Sequence, residues 1–188
     1  MEKTQLRKWA RERAGALGEE YFQDAGRKIA EHIARWEVYR QARVVMAFAS
    51  TAYEPDTGPL LEMILRDGKL LVLPGITGPG TMEARRVEAT AALVTGAYGL
   101  MEPDTSWPVI ARGEIDLVLA PCMGCDTYGR RLGHGGGYYD RFLAGTETYA
   151  AALCPAELLM ETVPAEEQDR AMDAVVTEAG IIRRPAGN

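Results

Sequence analysis

The residues best suited to chemistry lie together in one segment, 116–143, where a run of glycines separates an apolar stretch from a stretch with helical character. The run contains Gly133, Gly135, Gly136 and Gly137. Glycines let backbone N–H groups approach an anion closely, and a helix that follows adds unpaired donors and partial positive charge. The pattern therefore indicates either a phosphate-binding loop or an ordinary surface loop, which is about as common at this composition.

Charged residues on both sides of the glycine run decide between these interpretations. Arg130 and Arg131 precede the run, and Asp140 follows it. Guanidinium groups bind phosphate oxygens, and a carboxylate is a hard oxygen ligand of the kind that Mg²⁺ prefers. We therefore expect phosphate and magnesium to bind here. The run lacks the Gly-Lys-Ser/Thr ending of a P-loop and the spacing of the dinucleotide fingerprint, so neither of those motifs applies.

The rest of the sequence alternates between segments typical of helices and of buried strands. Apolar residues at three- and four-residue steps predict two helices within 3–40, separated near Gly15 and Gly18, and further helices over 59–66 and 138–143. Short apolar runs predict strands over 43–50, 69–73, 115–120, 149–153 and 174–177. Glycine and proline predict a loop over 74–82, whereas 83–95 fits short strands or a helix equally well.

This alternation predicts an α/β fold of three layers, Rossmann-like, in which helices cover both faces of a mostly parallel sheet. Ligands in such folds bind beyond the carboxyl ends of the strands. The glycine run follows the strongest predicted strand, so we expect it at that edge of the sheet. The length of 188 residues fits a single domain spanning 1–188.

Composition and charge restrict the class of protein. The chain is 47% hydrophobic and 26% charged, as is usual for soluble globular proteins. A net charge of -6 does not favour nucleic acid or anionic membranes as partners. No apolar run approaches the roughly 20 residues that span a bilayer, and the first residues do not form a signal sequence. We expect a cytoplasmic protein and a monomer.

Three cysteines, Cys122, Cys125 and Cys154, suit a reducing compartment better than a disulfide framework. Cys122 and Cys125 form a Cys-x-x-Cys pair with His134 nearby, so a zinc site or a redox pair is the alternative. The sequence offers too few further ligands to complete four around zinc. We therefore expect free thiols without a metal or redox role.

The segment around the glycine run resembles the signature of the 5-formyltetrahydrofolate cyclo-ligase family, also called methenyltetrahydrofolate synthetase. In that signature a strand runs into Pro, then Asp, then Gly-x-Arg-Leu-Gly-x-Gly-x-Gly-Tyr-Tyr-Asp. Here it reads Pro121, Asp126 and then Gly129 to Asp140. Further matches are Glu102-Pro103 and the stretch from Val163 to Asp169, followed by Asp173 and Thr177-Glu178. The resemblance extends from Lys3 to Glu178 and is sparse in the middle third.

The resemblance implies roles for residues along the whole chain. ATP would contact Lys3, Arg7, Arg131, Gly133, His134, Gly135, Gly136, Gly137, Tyr138 and Tyr139. The folate would contact Glu54, Tyr98, His134 and Tyr138. Mg²⁺ would be held by Asp140 and Asp169, and the catalytic residues would be Arg131, Tyr138 and Asp140.

Without the resemblance, several of these residues have an ordinary structural interpretation. Lys3 and Arg7 would form a solvated helix face, and Glu54 would be a turn residue. Tyr98 would be a buried core tyrosine, and Asp169 would be a charge on a helix surface.

The reaction that the resemblance implies converts 5-formyltetrahydrofolate, with or without a polyglutamate tail, and ATP into 5,10-methenyltetrahydrofolate, ADP and phosphate. The formyl oxygen would attack the γ-phosphate, and N10 of the folate would then displace phosphate. The alternative is a non-catalytic module that binds nucleotide or folate on the same fold. It is suggested by the cysteine pair and by Gly75 and Gly136, which stand where relatives often carry basic residues.

Overall fold

The computed structural model describes residues 2–185. Five α-helices occur in that range: α1 (Lys3–Leu17), α2 (Glu19–Ala34), α3 (Glu37–Gln41), α4 (Gly58–Arg66) and α5 (Tyr138–Leu143). The strands are β1 (Val44–Met46), β2 (Leu70–Gly78), β3 (Thr81–Val87), β4 (Val94–Thr95), β5 (Met101–Glu102), β6 (Val109–Ile110), β7 (Leu117–Pro121), β8 (Gly124–Asp126), β9 (Arg131–Leu132), β10 (Tyr149–Leu153), β11 (Leu159–Met160), β12 (Ala174–Thr177) and β13 (Gly180–Arg183).

An eight-stranded sheet with the order β13-β12-β10-β7-β1-β2-β3-β6 forms the centre of the molecule. The inner strands β12, β10, β7, β1 and β2 pair in parallel, whereas β13, β3 and β6 are antiparallel to their neighbours. The prediction of an α/β fold with a mostly parallel sheet is confirmed. The antiparallel edges were not predicted.

Helices cover both faces of this sheet, because alternate residues of each inner strand point to opposite sides. In β7, Leu117 and Leu119 join a core with α2, α3 and α4, while Val118 and Ala120 join a core with parts of α1, α2 and α5. All four of these side chains have no exposed surface. Complete burial on both faces explains why β7 reads as a continuous apolar run.

The prediction of a loop over residues 74–82 is wrong, because β2 continues to Gly78 and turns back into β3. The short strand β1 pairs only with Leu70–Val72 of β2, so Pro74 lies beyond it and pairs with Ala84 on the other side. A proline that lacks its N–H is tolerated where that edge of a strand has no partner. Glycine and proline therefore mark a hairpin here rather than an irregular loop.

Other boundaries also differ from the predictions. Three helices occupy the region predicted to hold two, because α3 follows α2 after a break at 35–36. The strand predicted over 43–50 is regular only over Val44–Met46. The ambiguous region 83–95 contains the end of β3, a 3₁₀ turn and β4.

Among residues 2–185, no helix combines the length and apolar character needed to cross a membrane.

Candidate active site

A cleft of about 1910 Å³ opens beyond the carboxyl ends of β1, β2 and β7, where the parallel sheet predicts a ligand site. The glycine run and the residues around it form one wall. Strand β2 beyond Pro74, the β2–β3 turn and the segment 98–102 form the opposite wall. Residues of α1 and of the segment 164–170 close a third side. We call the wall formed around the glycine run the glycine-loop wall, and the wall formed by β2, the β2–β3 turn and the segment 98–102 the hairpin wall.

The loop before the glycine run is shaped by Asp126, whose carboxylate has no exposed surface. Its Oδ1 accepts hydrogen bonds from the backbone N–H groups of Tyr128 (2.9 Å) and Arg130 (3.0 Å), and its Oδ2 accepts one from Val163 (3.0 Å). Gly129 has φ +77°, and a Cβ there would lie 2.1 Å from the carbonyl oxygen of Met172. These two signature residues therefore build the loop rather than contact a ligand.

Arg131 and Asp140 form a partly buried ion pair on the glycine-loop wall. Arg131 Nη2 lies 3.0 Å from Asp140 Oδ1, and the two side chains are 6% and 21% exposed. The same carboxylate oxygen accepts a hydrogen bond from the backbone N–H of Arg170 at 3.3 Å. The guanidinium lies over the ring of Tyr139, 5.4 Å from its centroid. The sequence predicted ligand contacts for Arg131 and Asp140 but not their contact with each other.

Two buried polar atoms of this wall, Arg131 Nε and the Tyr139 hydroxyl, have no hydrogen-bond partner within residues 2–185. Burial raises the pKa of the Tyr139 hydroxyl, which therefore stays protonated and able to donate at neutral pH. Unpaired buried polar groups are costly unless something else satisfies them. Their position next to the cleft is compatible with a bound ligand as the missing partner.

Arg7 reaches the glycine run from α1, and its Nε donates a hydrogen bond to the carbonyl oxygen of Gly133 at 2.9 Å. Lys3, one turn earlier on α1, pairs with Asp169 at 2.5 Å and with Glu166 at 2.8 Å. The interpretation of Lys3 and Arg7 as a solvated face is wrong, because both line the cleft and the Lys3 side chain is only 18% exposed.

Asp169 lies in an irregular segment and not on a helix, so the interpretation as a helix-surface charge is also wrong. Burial disfavours its charged form, but hydrogen bonds from Lys3 and from the Glu166 backbone outweigh burial and keep the pKa of Asp169 below its usual value. The pKa of Lys3 is shifted the other way: burial lowers it, but the bonds to Asp169 and Glu166 raise it overall. Both groups are therefore charged at neutral pH.

Glu54 and His134 face each other across the cleft floor. Glu54 is only 7% exposed. Its Oε2 accepts hydrogen bonds from the Thr51 backbone N–H (2.8 Å) and the Thr51 hydroxyl (2.9 Å). Its Oε1 lies 3.6 Å from His134 Nε2. One carboxylate oxygen thus fixes the turn after β1, while the other faces the site.

Tyr98 is 79% exposed, so the interpretation as a core tyrosine is wrong. Its hydroxyl lies 3.4 Å from that of Tyr138, which begins α5. The hydroxyls bring the hairpin wall and the glycine-loop wall together at the mouth of the cleft. The exposed ring of Tyr98 offers a flat surface to a heterocyclic ligand.

Cleft residues that received no site role from the sequence include Glu166, Glu102 and Arg141. Glu166 pairs with Lys3, Glu102 accepts a hydrogen bond from the Ile76 backbone N–H at 3.1 Å, and Arg141 contacts both walls. Arg141 directly follows Asp140, so its nearness to the glycine run was the available signal. Glu166 lies far from Lys3 in the sequence, so no local pattern predicted that the two side chains would pair.

The three cysteines are buried and free. Cys122 Sγ donates to the carbonyl oxygen of Leu153 at 3.4 Å, and burial raises the pKa of the Cys125 thiol. Protonated, buried thiols are poor nucleophiles and poor metal ligands. The absence of a metal or redox role remains a prediction.

Comparison with known proteins gives consistent results. The model of the 5-formyltetrahydrofolate cyclo-ligase family matches residues 1–178. A 5-formyltetrahydrofolate cyclo-ligase of Escherichia coli is 32% identical over 180 residues, covering 91% of this chain and 97% of that protein. A probable 5-formyltetrahydrofolate cyclo-ligase of Caenorhabditis elegans is 27% identical over 194 residues, covering 96% and 94% of the two chains.

Solved structures show the same similarity. The NMR structure of a 5,10-methenyltetrahydrofolate synthetase from Aquifex aeolicus matches with a TM-score of 0.88 and 28% identity, covering 100% of this chain and 95% of that one. A 5,10-methenyltetrahydrofolate synthetase from Mycoplasma pneumoniae shares the fold, with a TM-score of 0.77 and 18% identity over 95% of this chain and 99% of that one. From the signature in the glycine run, the cleft behind it and these matches over nearly the whole length, we conclude that the chain belongs to the 5-formyltetrahydrofolate cyclo-ligase family.

Proposed function

We propose that this chain converts 5-formyltetrahydrofolate and ATP into 5,10-methenyltetrahydrofolate, ADP and phosphate. The observation that carries the proposal is the cleft itself, which brings a wall of glycines and cations face to face with a wall that carries exposed aromatic and apolar side chains. The first wall suits a triphosphate and the second a flat heterocycle. The named relatives are ligases and synthetases, and they do not support a non-catalytic binding module.

The triphosphate would lie along the glycine-loop wall. Lys3, Arg7 and Arg131 border this region, and backbone N–H groups between Gly133 and Gly137 can supply further donors. Lys3 pairs with Asp169 and Arg131 pairs with Asp140, so both cations are held in place by neighbouring carboxylates. Such preorganised cations stabilise charge that develops during phosphoryl transfer without further reorganisation.

The residues present fit Mg²⁺, which commonly uses one or two carboxylates together with substrate phosphates. Asp140 and Asp169 both border the cleft, and the backbone N–H of Arg170 bonds to Asp140, which brings the two carboxylates to the same region. Asp140 and Asp169 would hold the ion. When bound, it would neutralise charge on the β- and γ-phosphate oxygens.

The folate would occupy the other side of the cleft, with its pterin against Tyr98 and near Glu54, His134 and Tyr138. Glu54 Oε1 can accept a hydrogen bond from a ring N–H, because its other oxygen is already bound to Thr51. The Tyr139 hydroxyl can donate one to an oxygen of either substrate. These groups would orient the formyl oxygen towards the γ-phosphate.

The reaction needs no covalent intermediate with the protein. The formyl oxygen attacks the γ-phosphorus and ADP leaves; N10 then attacks the formyl carbon and gives up its proton to the departing phosphate, and the carbon–oxygen bond breaks to release that phosphate. Within 131–140 no serine is present, and the cysteines are buried. The substrate oxygen therefore remains the acceptor that the chain's own residues can position.

The test is a methenyl-absorbance assay with 5-formyltetrahydrofolate and Mg-ATP, followed by mass analysis of phosphate released from substrate labelled with ¹⁸O in the formyl group. The proposal expects turnover and label in the phosphate, since that oxygen leaves only after phosphorylation. Turnover with all the label in water would overturn the phosphorylation step. Binding of both ligands without turnover would support the non-catalytic module.

We further propose that the enzyme works in the cytoplasm as a monomer, with one domain over 1–188. Three free buried thiols suit a reducing compartment. Light scattering of the purified chain at working concentration tests the monomer. A mass twice that of the 20.6 kDa chain would contradict it.

A further inference from the structure

Arg141 joins the two walls of the cleft at a second place, apart from the contact between the Tyr98 and Tyr138 hydroxyls. It lies in α5, in the turn that follows the glycine run, and it lines the cleft. Its Nε donates a hydrogen bond to the carbonyl oxygen of Gly80 at 2.8 Å, in the turn between β2 and β3. Its Nη2 donates another to the carbonyl oxygen of Gly136 in the glycine run. One guanidinium therefore bonds to both walls.

The β2–β3 turn is shaped to receive this guanidinium. Gly80 has φ +70°, and a Cβ added there would lie 1.9 Å from Arg141 Nη2. On the other side, a Cβ at Gly137 would lie 2.9 Å from Nη1. The guanidinium thus lies between two glycines, and a side chain at Gly80 would displace it.

The contacts of Arg141 distinguish it from the other cations of the site. Lys3 and Arg131 pair with carboxylates, whereas Arg141 forms no ion pair within residues 2–185 and bonds to backbone carbonyls instead. Arg7 also bonds to a carbonyl of the run, at Gly133, but it arrives from α1 and does not reach the hairpin wall. Arg141 is therefore placed to set the distance between the walls rather than to neutralise a fixed negative charge.

We propose that Arg141 is a positioning residue for phosphoryl transfer, which fixes the separation of the nucleotide and the folate by holding the glycine run and the β2–β3 turn together. This inference rests on the proposed function, because the two walls matter to each other only if a substrate lies on each. A reaction between two bound substrates depends steeply on their alignment, and a misplacement of about 1 Å can cost about 100-fold in rate.

The first experiment compares kcat and KM for Arg141→Met and Arg141→Lys. Methionine keeps roughly the apolar stem of the side chain but lacks the guanidinium and so loses both hydrogen bonds, and we expect kcat to fall about 30- to 100-fold while KM for each substrate changes less than about threefold. Lysine can reach one carbonyl at a time and should recover part of the loss. A loss confined to KM for ATP, or an unchanged kcat, would overturn the proposal.

A double-mutant cycle distinguishes loss of the link, that is, the connection that Arg141 makes between the glycine run and the β2–β3 turn, from a general weakening of that turn. Gly80→Ala displaces the guanidinium from the other side, so Gly80→Ala and Arg141→Met should lower kcat non-additively in combination. Arg86→Met is the matched control, because Arg86 lies on β3 and pairs only with the exposed Glu88 within the described residues. Additive effects on kcat would count against the link.

A second measurement does not require turnover. Hydrogen exchange of the ligand-free protein should be faster over 78–81 and 133–137 in Arg141→Met but not in Arg86→Met. A non-hydrolysable ATP analogue should slow exchange in the 78–81 turn of the unmodified protein and not in Arg141→Met. Equal protection of that turn in both proteins would refute the link, whatever the outcome of the activity assay.

Discussion

Asp140 and Arg131 have a structural role in addition to the chemistry proposed for them. Their side chains pair at 3.0 Å with little exposed surface. Removing one partner of such a pair leaves a buried charge and typically costs about 3–5 kcal/mol, whereas replacing both by apolar residues is often neutral.

We therefore predict that Asp140→Asn lowers both kcat, by at least about 100-fold, and the melting temperature. The double variant Arg131→Met, Asp140→Leu should recover most of the melting temperature but none of the activity. Thermal unfolding and the methenyl assay measure the two effects separately. If the double variant regained activity, the pair would be structural only.

Asp169 gives the site a dependence of stability on pH. Its pKa is lowered in the folded protein, so its pairing with Lys3 contributes stability above the unfolded pKa of about 3.9 and loses that contribution as the pH falls through the folded value. We predict that Asp169→Asn lowers the free energy of unfolding by about 1 kcal/mol at pH 7, and by progressively less below a pH of about 4.

Urea unfolding of both proteins between pH 7 and pH 3 measures this difference. Glu12→Gln, which removes an exposed pair with Lys8 at 3.9 Å, is the control and should change stability little at any pH. A difference that stays constant with pH would show that Asp169 acts through packing rather than through its charge.

At the scale of residues, the sequence predicted the kinds of group in the site better than their contacts. The glycines, Arg131 and Asp140 lie within ten residues of one another, and their proximity in sequence was enough to indicate a phosphate site. The contact of Lys3 with Asp169 joins positions 166 residues apart, so it depends on how the chain returns to α1. Only the family resemblance placed Lys3 and Asp169 in one site.

Among the elements, the loop that leads into the glycine run depends on a close backbone approach. At Gly129 a Cβ would lie 2.1 Å from the Met172 carbonyl oxygen, while at Gly68, with a similar φ of +71°, nothing lies within 4 Å. We predict that Gly68→Ala costs about 1–2 kcal/mol of stability from the backbone conformation alone. Gly129→Ala should cost clearly more, because the segment around Met172 must also move.

Denaturant unfolding measures both variants. Gly129→Ala should in addition weaken ATP binding, because Met172 belongs to the chain that continues from Asp169 and Arg170, whereas Gly68→Ala should not. Equal destabilisation by the two substitutions would mean that the loop adjusts without strain.

The sequence was most reliable for short elements whose apolar side chains are mostly buried. The predicted bounds 138–143, 149–153 and 174–177 agree with α5, β10 and β12. The β2–β3 hairpin was missed because Pro74, Gly75 and Gly80 dominate its local pattern, while its strand pairing depends on the distant end of β1. The antiparallel edge strand β13 is short, half-buried and lacks a strong apolar pattern.

For the whole molecule, the two cores lie on opposite faces of the same strands. Leu119 belongs to one core and Val118 to the other, so the sheet cannot open on one side without disturbing both. We predict a single cooperative unfolding transition, in which tryptophan fluorescence, to which the buried Trp36 contributes, changes together with far-UV circular dichroism. Two separate transitions would contradict a single domain over 1–188.

Leu119→Ala should lower the free energy of unfolding by about 2–5 kcal/mol, and unfolding should remain a single transition. Val109→Ala, at an edge position that is 51% exposed, should change stability by less than about 0.5 kcal/mol. A Leu119→Ala protein that unfolds in two steps would show that the cores are independent.

The burial of all three cysteines makes the chain convenient for site-specific labelling. In the native protein a maleimide dye finds no exposed native thiol, so a single cysteine introduced on the surface would be labelled selectively without removal of the others. Dyes attached to two introduced cysteines, one at the exposed Val94 beside the hairpin wall and one at a solvent-facing position of α1, would report the width of the cleft by energy transfer as nucleotide and folate are added. A change in that distance with nucleotide alone would show directly whether the mouth of the cleft closes before the second substrate arrives.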